Sequence, residues 1–238
     1  MLGESHSGVL EGLARLPTLA HPTVGPGGEE IALYCDTTGR NELHVLDTVT
    51  GELKQWSDGE VPRNARWFLR WDTEGDRVYF HLDDAGDEQN DLYALSRDGT
   101  VDPVVEMDGQ VILNDVSKDG TTLLVGSSRD GQMNIYRHDC PTGETTKLTE
   151  YERAAVGATV APTGDQFAFS TNESDDYENQ DVYVADISGS TVRNLKIGET
   201  GAEVGPADWG PDVSGYLSTI TVRIWVASAF TTCRQTPS

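Results

Sequence analysis

The side chains that could act as nucleophile and base in this sequence stand in unsuitable places. His6 lies between Ser5 and Ser7, but a chain terminus holds a nucleophile and a base poorly in register. Two serine-containing stretches run between glycines, GESHSG (3–8) and GSSRDG (126–131), and neither fits the G-x-S-x-G pattern of a nucleophile elbow. We therefore predict no catalytic residue in this chain.

The other histidines of interest lie in strand-like stretches. His44 alternates with apolar neighbours and His81 follows Phe80, so both are predicted to face outward from strands. His138 and Asp139 end a strand just before the turn CPTG (140–143), and we interpret them as turn residues with local hydrogen bonds. None of these residues is predicted to form a site.

The acidic loop DDAGDEQND (83–91) offers oxygen atoms at alternating positions, as a calcium loop does. A calcium loop of the EF-hand type needs Gly at its sixth position and a bidentate Glu at its twelfth, where this loop has Glu88 and Ala94. We interpret it as a solvated acidic hairpin. The cysteines show no CxxC or His/Cys spacing, so we predict reduced thiols, no metal site and no cofactor; they are Cys35, Cys140 and Cys233.

A segment of about 45 residues that repeats along the chain must position all of these residues. Each copy has a glycine-bearing turn, a short apolar strand, an acidic loop and a second strand that runs into another turn. The turn glycines recur every 44 to 47 residues at Gly28, Gly75, Gly120 and Gly164. A period in this range, made of strands and turns alone, is typical of propeller blades. We predict an all-β fold, an incomplete β-propeller of about four and a half blades (TolB/WD40-like).

The repeat predicts the domain organisation. A short N-terminal helix with helical apolar spacing over 8–16, ended by Pro17, and a lead-in occupy residues 1–22. The propeller spans 23–212, with blades at 23–59, 72–109, 117–149 and 161–198 and the start of a fifth at 207–217. Apolar residues alternate with polar ones along the strands, which predicts half-buried strands that pack on neighbouring sheets.

Five aromatic residues resemble a binding belt by their number, but we predict core packing for them. Two of them precede a blade turn, where a ring commonly fills the gap between blades. The five are Trp56, Trp67, Phe68, Trp71 and Trp209, of which Trp71 and Trp209 precede turns.

Composition narrows the range of partners. The formal net charge is -23, with 40 acidic against 17 basic residues, and this acid excess resembles that of proteins from salt-loving microbes. No stretch clusters Lys and Arg, which disfavours nucleic acid. The first 22 residues lack the pattern of a signal peptide, and the longest apolar stretch, Tyr216–Phe230, is too short to span a bilayer. We predict a cytoplasmic protein with no membrane partner.

Four segments resemble the amino-terminal propeller of the prolyl-oligopeptidase class of serine peptidases, especially its acylaminoacyl-peptidase and dipeptidyl-peptidase branch. They are LPTLAHPTVGPGGEEIAL (16–33), GRNELHVLDTVTGE (39–52), NQDVYVADI (179–187) and ADWGPD (207–212). The resemblance covers roughly residues 9–216. It implies a propeller that caps an α/β-hydrolase domain carrying Ser, Asp and His, and that admits peptides rather than folded proteins to the active site.

No hydrolase pattern follows the blades in this sequence, so the resemblance transfers no catalytic residue. It implies the non-catalytic part of a haloarchaeal-type peptidase, a truncated or frameshifted fragment that meets peptide substrates only together with the missing hydrolase domain. The alternative is a stand-alone propeller that binds a protein or peptide partner. A third possibility is an enzyme whose active site lies among the propeller loops.

The last 26 residues, 213–238, differ from the rest because they contain no Asp or Glu and no blade turn. A frameshift near 216–218 would explain this composition, since a shifted frame permits an acidic hairpin like those of the blades. The alternative is a divergent native tail. We predict that this tail completes no blade and forms at most one strand, within 216–226.

Overall fold

The chain was analysed as a computed structural model, which describes residues 16–83, 89–173, 179–197, 202–210, 217–224 and 231–233. The N-terminal helix predicted over 8–16 falls almost entirely outside these ranges. So does most of the acidic loop at 83–91.

The described residues form strands and turns, as the period of the repeat predicts. The first eight strands are β1 Leu19–Val24, β2 Glu30–Cys35, β3 Glu42–Asp47, β4 Leu53–Gln55, β5 Arg70–Trp71, β6 Arg77–Asp83, β7 Asn90–Ser96 and β8 Val101–Val105. The next eight are β9 Val111–Val116, β10 Thr122–Ser127, β11 Asn134–Asp139, β12 Glu144–Lys147, β13 Ala155–Val160, β14 Gln166–Thr171, β15 Asp181–Asp186 and β16 Val192–Asn194. The last three are β17 Ala202–Trp209, β18 Leu217–Ile224 and β19 Thr231–Cys233.

Consecutive strands are hydrogen-bonded neighbours in every sheet. We name the four-stranded sheets blade 1 (β1–β4), blade 2 (β5–β8), blade 3 (β9–β12) and blade 4 (β13–β16), and β17–β19 form a three-stranded sheet. Four-stranded meanders that repeat along a chain are the building units of propellers. The predicted all-β fold, an incomplete β-propeller, is confirmed.

Two compact units make up the chain and are described separately. The first unit comprises residues 1–82 and 94–102, and the second comprises 83–93 and 103–238.

In the first unit, the middle strands are buried on both faces. In β2, Ala32, Leu33, Tyr34 and Cys35 are all at most 5% exposed. The prediction that His44 and His81 face outward is therefore wrong, because these side chains are 4% and 1% exposed. Alternation of apolar and polar residues is typical of a sheet with one solvent-exposed face. A strand that is covered on both faces also places its polar residues in the interior.

The second unit contains two apolar clusters. One packs blade 4 residues against blade 3; its larger members include Leu124, Ile135, Phe167 and Phe169. The other packs the opposite face of blade 4 against β17; it includes Ala168, Val182, Val204 and Trp209. Alternate residues of β14 thus serve different clusters, which is why this strand is buried over its whole apolar length.

The tail contributes more regular structure than predicted. Strand β18 pairs antiparallel with β17, from Ala202↔Ile224 to Trp209↔Leu217. A second tail strand, β19, pairs with β18 through Val222↔Thr231. The prediction of at most one strand is therefore wrong, and β-branched residues explain the gain because they favour extended backbone. Trp225 and Phe230 lie outside the described residues.

One observation bears on membranes. Within the described ranges, no helix has the length and apolar character needed to cross a bilayer.

Candidate functional site

A polar residue stands at the first or second position of the third strand of every blade, and it organises the polar interior. It stands directly before the first apolar residue of that strand, and we name it the anchor residue. The four anchor residues are Glu42, Asp91, Asn134 and Asp181. Each accepts at least one hydrogen bond from the fourth strand of its blade or from the residues just after that strand.

In blade 1 the anchor residue is a carboxylate with a cationic partner. Glu42 is 1% exposed and accepts hydrogen bonds from the Ser57 hydroxyl and, at 3.2 Å, from the Gly59 amide. Arg40 Nε lies 2.8 Å from Glu42 Oε1. The Ser57 hydroxyl in turn accepts a hydrogen bond from the Leu43 amide at 2.8 Å. Its hydrogen bonds therefore connect the residues just after β4 to the start of β3.

Blade 3 repeats this arrangement with a neutral anchor residue. Asn134 Oδ1 accepts the Thr149 hydroxyl at 2.9 Å and the Tyr151 amide at 3.0 Å. The Thr149 hydroxyl accepts the Ile135 amide at 2.8 Å. An Asn or an acid placed 15 residues before a Ser or Thr, as in Asn134/Thr149, is the sequence pattern that would have revealed these contacts. Sequence reasoning missed it, and its role is structural because it satisfies buried backbone amides.

In blades 2 and 4 the anchor residue takes other partners. Asp91 Oδ1 accepts the Met107 amide at 3.1 Å. Asp181 Oδ2 accepts the side-chain amides of Asn194 at 3.2 Å and Asn179 at 3.4 Å. The anchor position thus keeps its acceptor function in all four blades, although its charge and its partners change.

Trp71 and Trp209 are buried, at 5% and 7% exposure, which confirms their predicted core packing. Each indole also donates a hydrogen bond to the first strand of the preceding blade. Trp71 Nε1 donates to Thr23 O at 3.0 Å, and Trp209 Nε1 donates to Thr159 O at 3.1 Å. These rings fill the space between strands and satisfy a backbone carbonyl at the same time.

Of the remaining three aromatic residues, two are half-buried and one is exposed. Trp56 is half-buried and packs edge-on against Trp71, with Arg97 above its ring at 5.2 Å. Trp67 is half-buried with its ring 5.9 Å from that of His81. Phe68 is 39% exposed, so core packing is the wrong prediction for this residue.

The buried histidines are held by local contacts. Burial lowers the pKa of His81 to about 4, which keeps the ring neutral at neutral pH. His44 Nδ1 lies 3.1 Å from the carbonyl of its own strand neighbour Glu42. His138 Nδ1 lies 2.9 Å from the Thr145 hydroxyl, and burial lowers its pKa as well.

Asp139 belongs to the turn that follows β11, as interpreted from the sequence. Its Oδ1 accepts the amide and the hydroxyl of Thr142 at 3.0 and 2.6 Å. These hydrogen bonds lower the pKa of the exposed Asp139 carboxyl. The carboxylate caps the turn and does not orient a neighbouring histidine for proton transfer.

The serines buried in the described part of the chain are committed to strand ends and turns. Ser57 bonds to Glu42, Ser117 to Asp119, and Ser170 to the carbonyl of Val204. Ser127 accepts the amide of Arg129. Over the same ranges, no group of three or more His, Cys, Asp or Glu residues stands close enough to hold a metal ion. A serine hydroxyl needs an adjacent base to become a nucleophile, and none of these four contacts a histidine.

No protein-family model matches this sequence. Among solved structures, TolB from Acinetobacter baumannii is similar with a TM-score of 0.61 at 18% identity, over 86% of this chain and 48% of that chain. An oligogalacturonate lyase solved in complex with manganese has a TM-score of 0.65 at 15% identity, over 89% and 61% of the two chains. A prolyl endopeptidase has a TM-score of 0.59 at 17% identity, over 93% of this chain and 36% of that chain.

The chain therefore spans about half of TolB and about a third of the endopeptidase. A lyase and an endopeptidase are among these proteins, and a common fold supports many functions. What they share with this chain is the architecture of antiparallel four-stranded blades. The comparisons and the sheet topology together identify the fold as that of a β-propeller.

Proposed function

We propose that this chain is the non-catalytic propeller part of a serine peptidase of the prolyl-oligopeptidase class, which limits access to a separate hydrolase domain. The observation that carries the proposal is the asymmetry of the likeness to the prolyl endopeptidase. The alignment takes in 93% of this chain and 36% of the endopeptidase. Two of the four segments that resemble this class in sequence, 16–33 and 39–52, form β1, β2, β3 and the turns beside them.

A finer assignment rests on sequence. The segments resemble the acylaminoacyl-peptidase and dipeptidyl-peptidase branch, and the charge of -23 supports a haloarchaeal type. The first 22 residues lack the pattern of a signal peptide, which supports a cytoplasmic protein. At about 1 M salt the Debye length falls to about 3 Å, so the surface carboxylates repel one another little. We predict that the melting temperature, followed by circular dichroism, rises steadily from low to molar salt. A flat response would contradict the haloarchaeal assignment.

The acid-free tail supports a frameshift in the coding sequence near residues 216–218. Sequencing the DNA downstream tests this directly. We expect a hydrolase domain with a G-x-S-x-G elbow in another reading frame. An unrelated gene at that place would contradict the proposal and favour the alternative.

The biochemical test compares this chain with the product of the repaired frame. We expect the isolated chain to leave acylaminoacyl and aminoacyl chromogenic substrates unchanged and to take no fluorophosphonate label, because none of the buried serines in the described ranges contacts a histidine. We expect the repaired product to cleave short peptides and to spare a folded protein. Turnover by the isolated chain above a heat-treated control would overturn the proposal.

The alternative is a stand-alone propeller that binds a protein or peptide partner. The likeness to TolB, over 86% of this chain, favours it. It predicts that the isolated chain binds a partner with a defined stoichiometry and that no hydrolase sequence lies nearby in the genome.

A further inference from the structure

Among the described residues, three buried oxygen atoms in blade 4 have no hydrogen-bond partner. They are Thr171 Oγ1, Asn179 Oδ1 and Asp181 Oδ1. Thr171 is 1% exposed and Asp181 is 5% exposed. Buried polar atoms are nearly always paired in folded proteins, so three such oxygens in one blade require an explanation.

The three residues are neighbours at the end of blade 4 where β14 ends and β15 begins. Thr171, at the end of β14, is directly opposite Asp181, at the start of β15. Residues opposite each other in an antiparallel pair extend from the same face, with Cβ atoms about 5 Å apart. The side-chain nitrogen of Asn179 lies 3.4 Å from Asp181 Oδ2, so the side chain of Asn179 lies beside this carboxylate.

The equivalent positions in blades 1 and 3 show what is missing. In blade 1, Arg40 neutralises the anchor carboxylate of Glu42. In blade 3, the anchor residue Asn134 carries no charge. Asp181 Oδ2 accepts hydrogen bonds from the neutral side-chain amides of Asn179 and Asn194. No basic side chain of the described ranges forms an ion pair with Asp181. A buried carboxylate without a positive partner is strongly destabilising.

We propose that a calcium ion binds between Asp181 Oδ1, Asn179 Oδ1 and Thr171 Oγ1. All three donors are oxygens, which are the ligands that hard cations prefer. Ca²⁺ takes six to eight oxygen ligands in flexible geometry, so water completes the shell around three protein ligands. A single cation would give all three oxygens a partner at once.

With a single carboxylate, the site belongs to the weak end of the range for protein calcium sites, with a Kd of about 10⁻⁴ to 10⁻³ M. The test uses metal-free full-length protein in 1 M NaCl, which screens calcium binding to the acidic surface. Melting temperature and calorimetric heat are measured as CaCl2 is added. We expect one saturable site and a rise in melting temperature, because a ligand that binds only the folded state stabilises it.

Two substitutions that each remove one negative charge from an anchor residue give the matched comparison. We expect Asp181→Asn to weaken calcium binding at least tenfold and to abolish the saturable rise in melting temperature. We expect Glu42→Gln to bind calcium as the parent does, because Arg40 already neutralises Glu42. Thr171→Val, which is nearly the same shape, is expected to weaken binding severalfold and covers the case in which Asp181→Asn fails to fold.

Magnesium provides a second comparison, because it demands near-ideal octahedral geometry and gives up its water reluctantly. We expect MgCl2 to raise the melting temperature less than CaCl2 does. The proposal is overturned if the parent shows no saturable calcium binding, or if Asp181→Asn and Thr171→Val bind calcium as tightly as Glu42→Gln does.

Discussion

Blades 1 and 4 build the same first strand from different residues. In blade 1 the pairing of β1 with β2 is irregular between Ala20 and Thr23, and His21 has a φ of 50°. In blade 4 the pairing of β13 with β14 is irregular at the equivalent place, and Gly157 has a φ of 64°. Blades 1 and 4 thus share the bulge, although glycine supplies its left-handed residue only in blade 4.

The residue after the bulge serves the same purpose in both blades. Thr23 and Thr159 each offer their carbonyl to the indole of a tryptophan that ends the first strand of a later sheet. The bulge therefore keeps an acceptor in place for Trp71 and Trp209. Blade geometry is retained where a hydrogen bond between sheets depends on it.

The two blades differ most at the anchor residue. Glu42 has a cation and a serine hydroxyl as partners, whereas Asp181 has two amides and one oxygen without a partner. At the bulge the repeat preserves a backbone conformation, and residues as different as His21 and Gly157 adopt it. Where an interaction is left incomplete, the difference indicates a function of that blade alone.

The largest expected effect concerns the two tryptophans. We expect Trp71→Ala and Trp209→Ala each to lower the free energy of unfolding by about 3–5 kcal/mol, because a large buried ring is removed. Trp71 also contacts Trp56 and has Arg97 above its ring at 5.9 Å, so its substitution is expected to cost more. Urea titrations followed by circular dichroism measure both values. A larger loss for Trp209→Ala would contradict this order.

Phenylalanine substitutions separate packing from hydrogen bonding at the same positions. Trp71→Phe and Trp209→Phe keep most of the apolar surface but leave a carbonyl unpaired, which costs about 1–3 kcal/mol. Similar losses in both variants are expected, since both indoles make the same hydrogen bond.

The anchor residues are expected to respond in opposite directions in calcium-free buffer. Glu42→Gln removes the charge that pairs with Arg40 and should lower the free energy of unfolding by about 1–3 kcal/mol. Asp181→Asn removes a buried carboxylate that has no positive partner among the described residues, so it should leave stability unchanged or raise it. Urea titration in the presence of a chelator measures both. Equal losses in the two variants would show that the anchor carboxylates have equivalent surroundings.

His81 should make the protein sensitive to acid. Its pKa is about 4 in the folded chain against an ordinary value of 6.5, so between these values the unfolded chain binds the proton and the folded chain does not. Stability is therefore complete above pH 6.5 and falls as the pH decreases towards 4, by at most about 1.4 kcal/mol per pH unit. His81→Phe should flatten this part of the stability profile. Titration of the His81 ring by NMR is the direct check, and a midpoint near 6.5 would contradict it.

The smallest effect is expected at the bulges. A Cβ at Gly157 would meet no atom within 4 Å, so Gly157→Ala should cost only the left-handed backbone penalty of about 1–2 kcal/mol. His21→Gly removes a similar penalty but loses the contact of His21 Nε2 with Ala65 O at 2.9 Å. We expect a change close to zero for His21→Gly by urea titration. A large loss would mean that the side chain, and not the backbone, determines this bulge.

Several features of the protein were determined by the sequence alone. The spacing of Gly28, Gly75, Gly120 and Gly164 predicted the blades, because a tight turn between strands needs residues that accept a positive φ, as all four do. The position of Trp71 and Trp209 just before a turn predicted their burial. A local sequence pattern is enough to predict such a feature when the backbone conformation itself restricts which residues fit.

Other features were decided only by tertiary structure. The alternation of apolar and polar residues predicted that His44 and His81 lie on an outer face. Neighbouring residues cover both faces of their strands, and the local sequence does not reveal this burial. The partners of Glu42 and Asp181 lie up to 17 residues away in the chain, on other strands and turns. Only the folded sheet brings Thr171 opposite Asp181, because the register of two strands determines which oxygens meet.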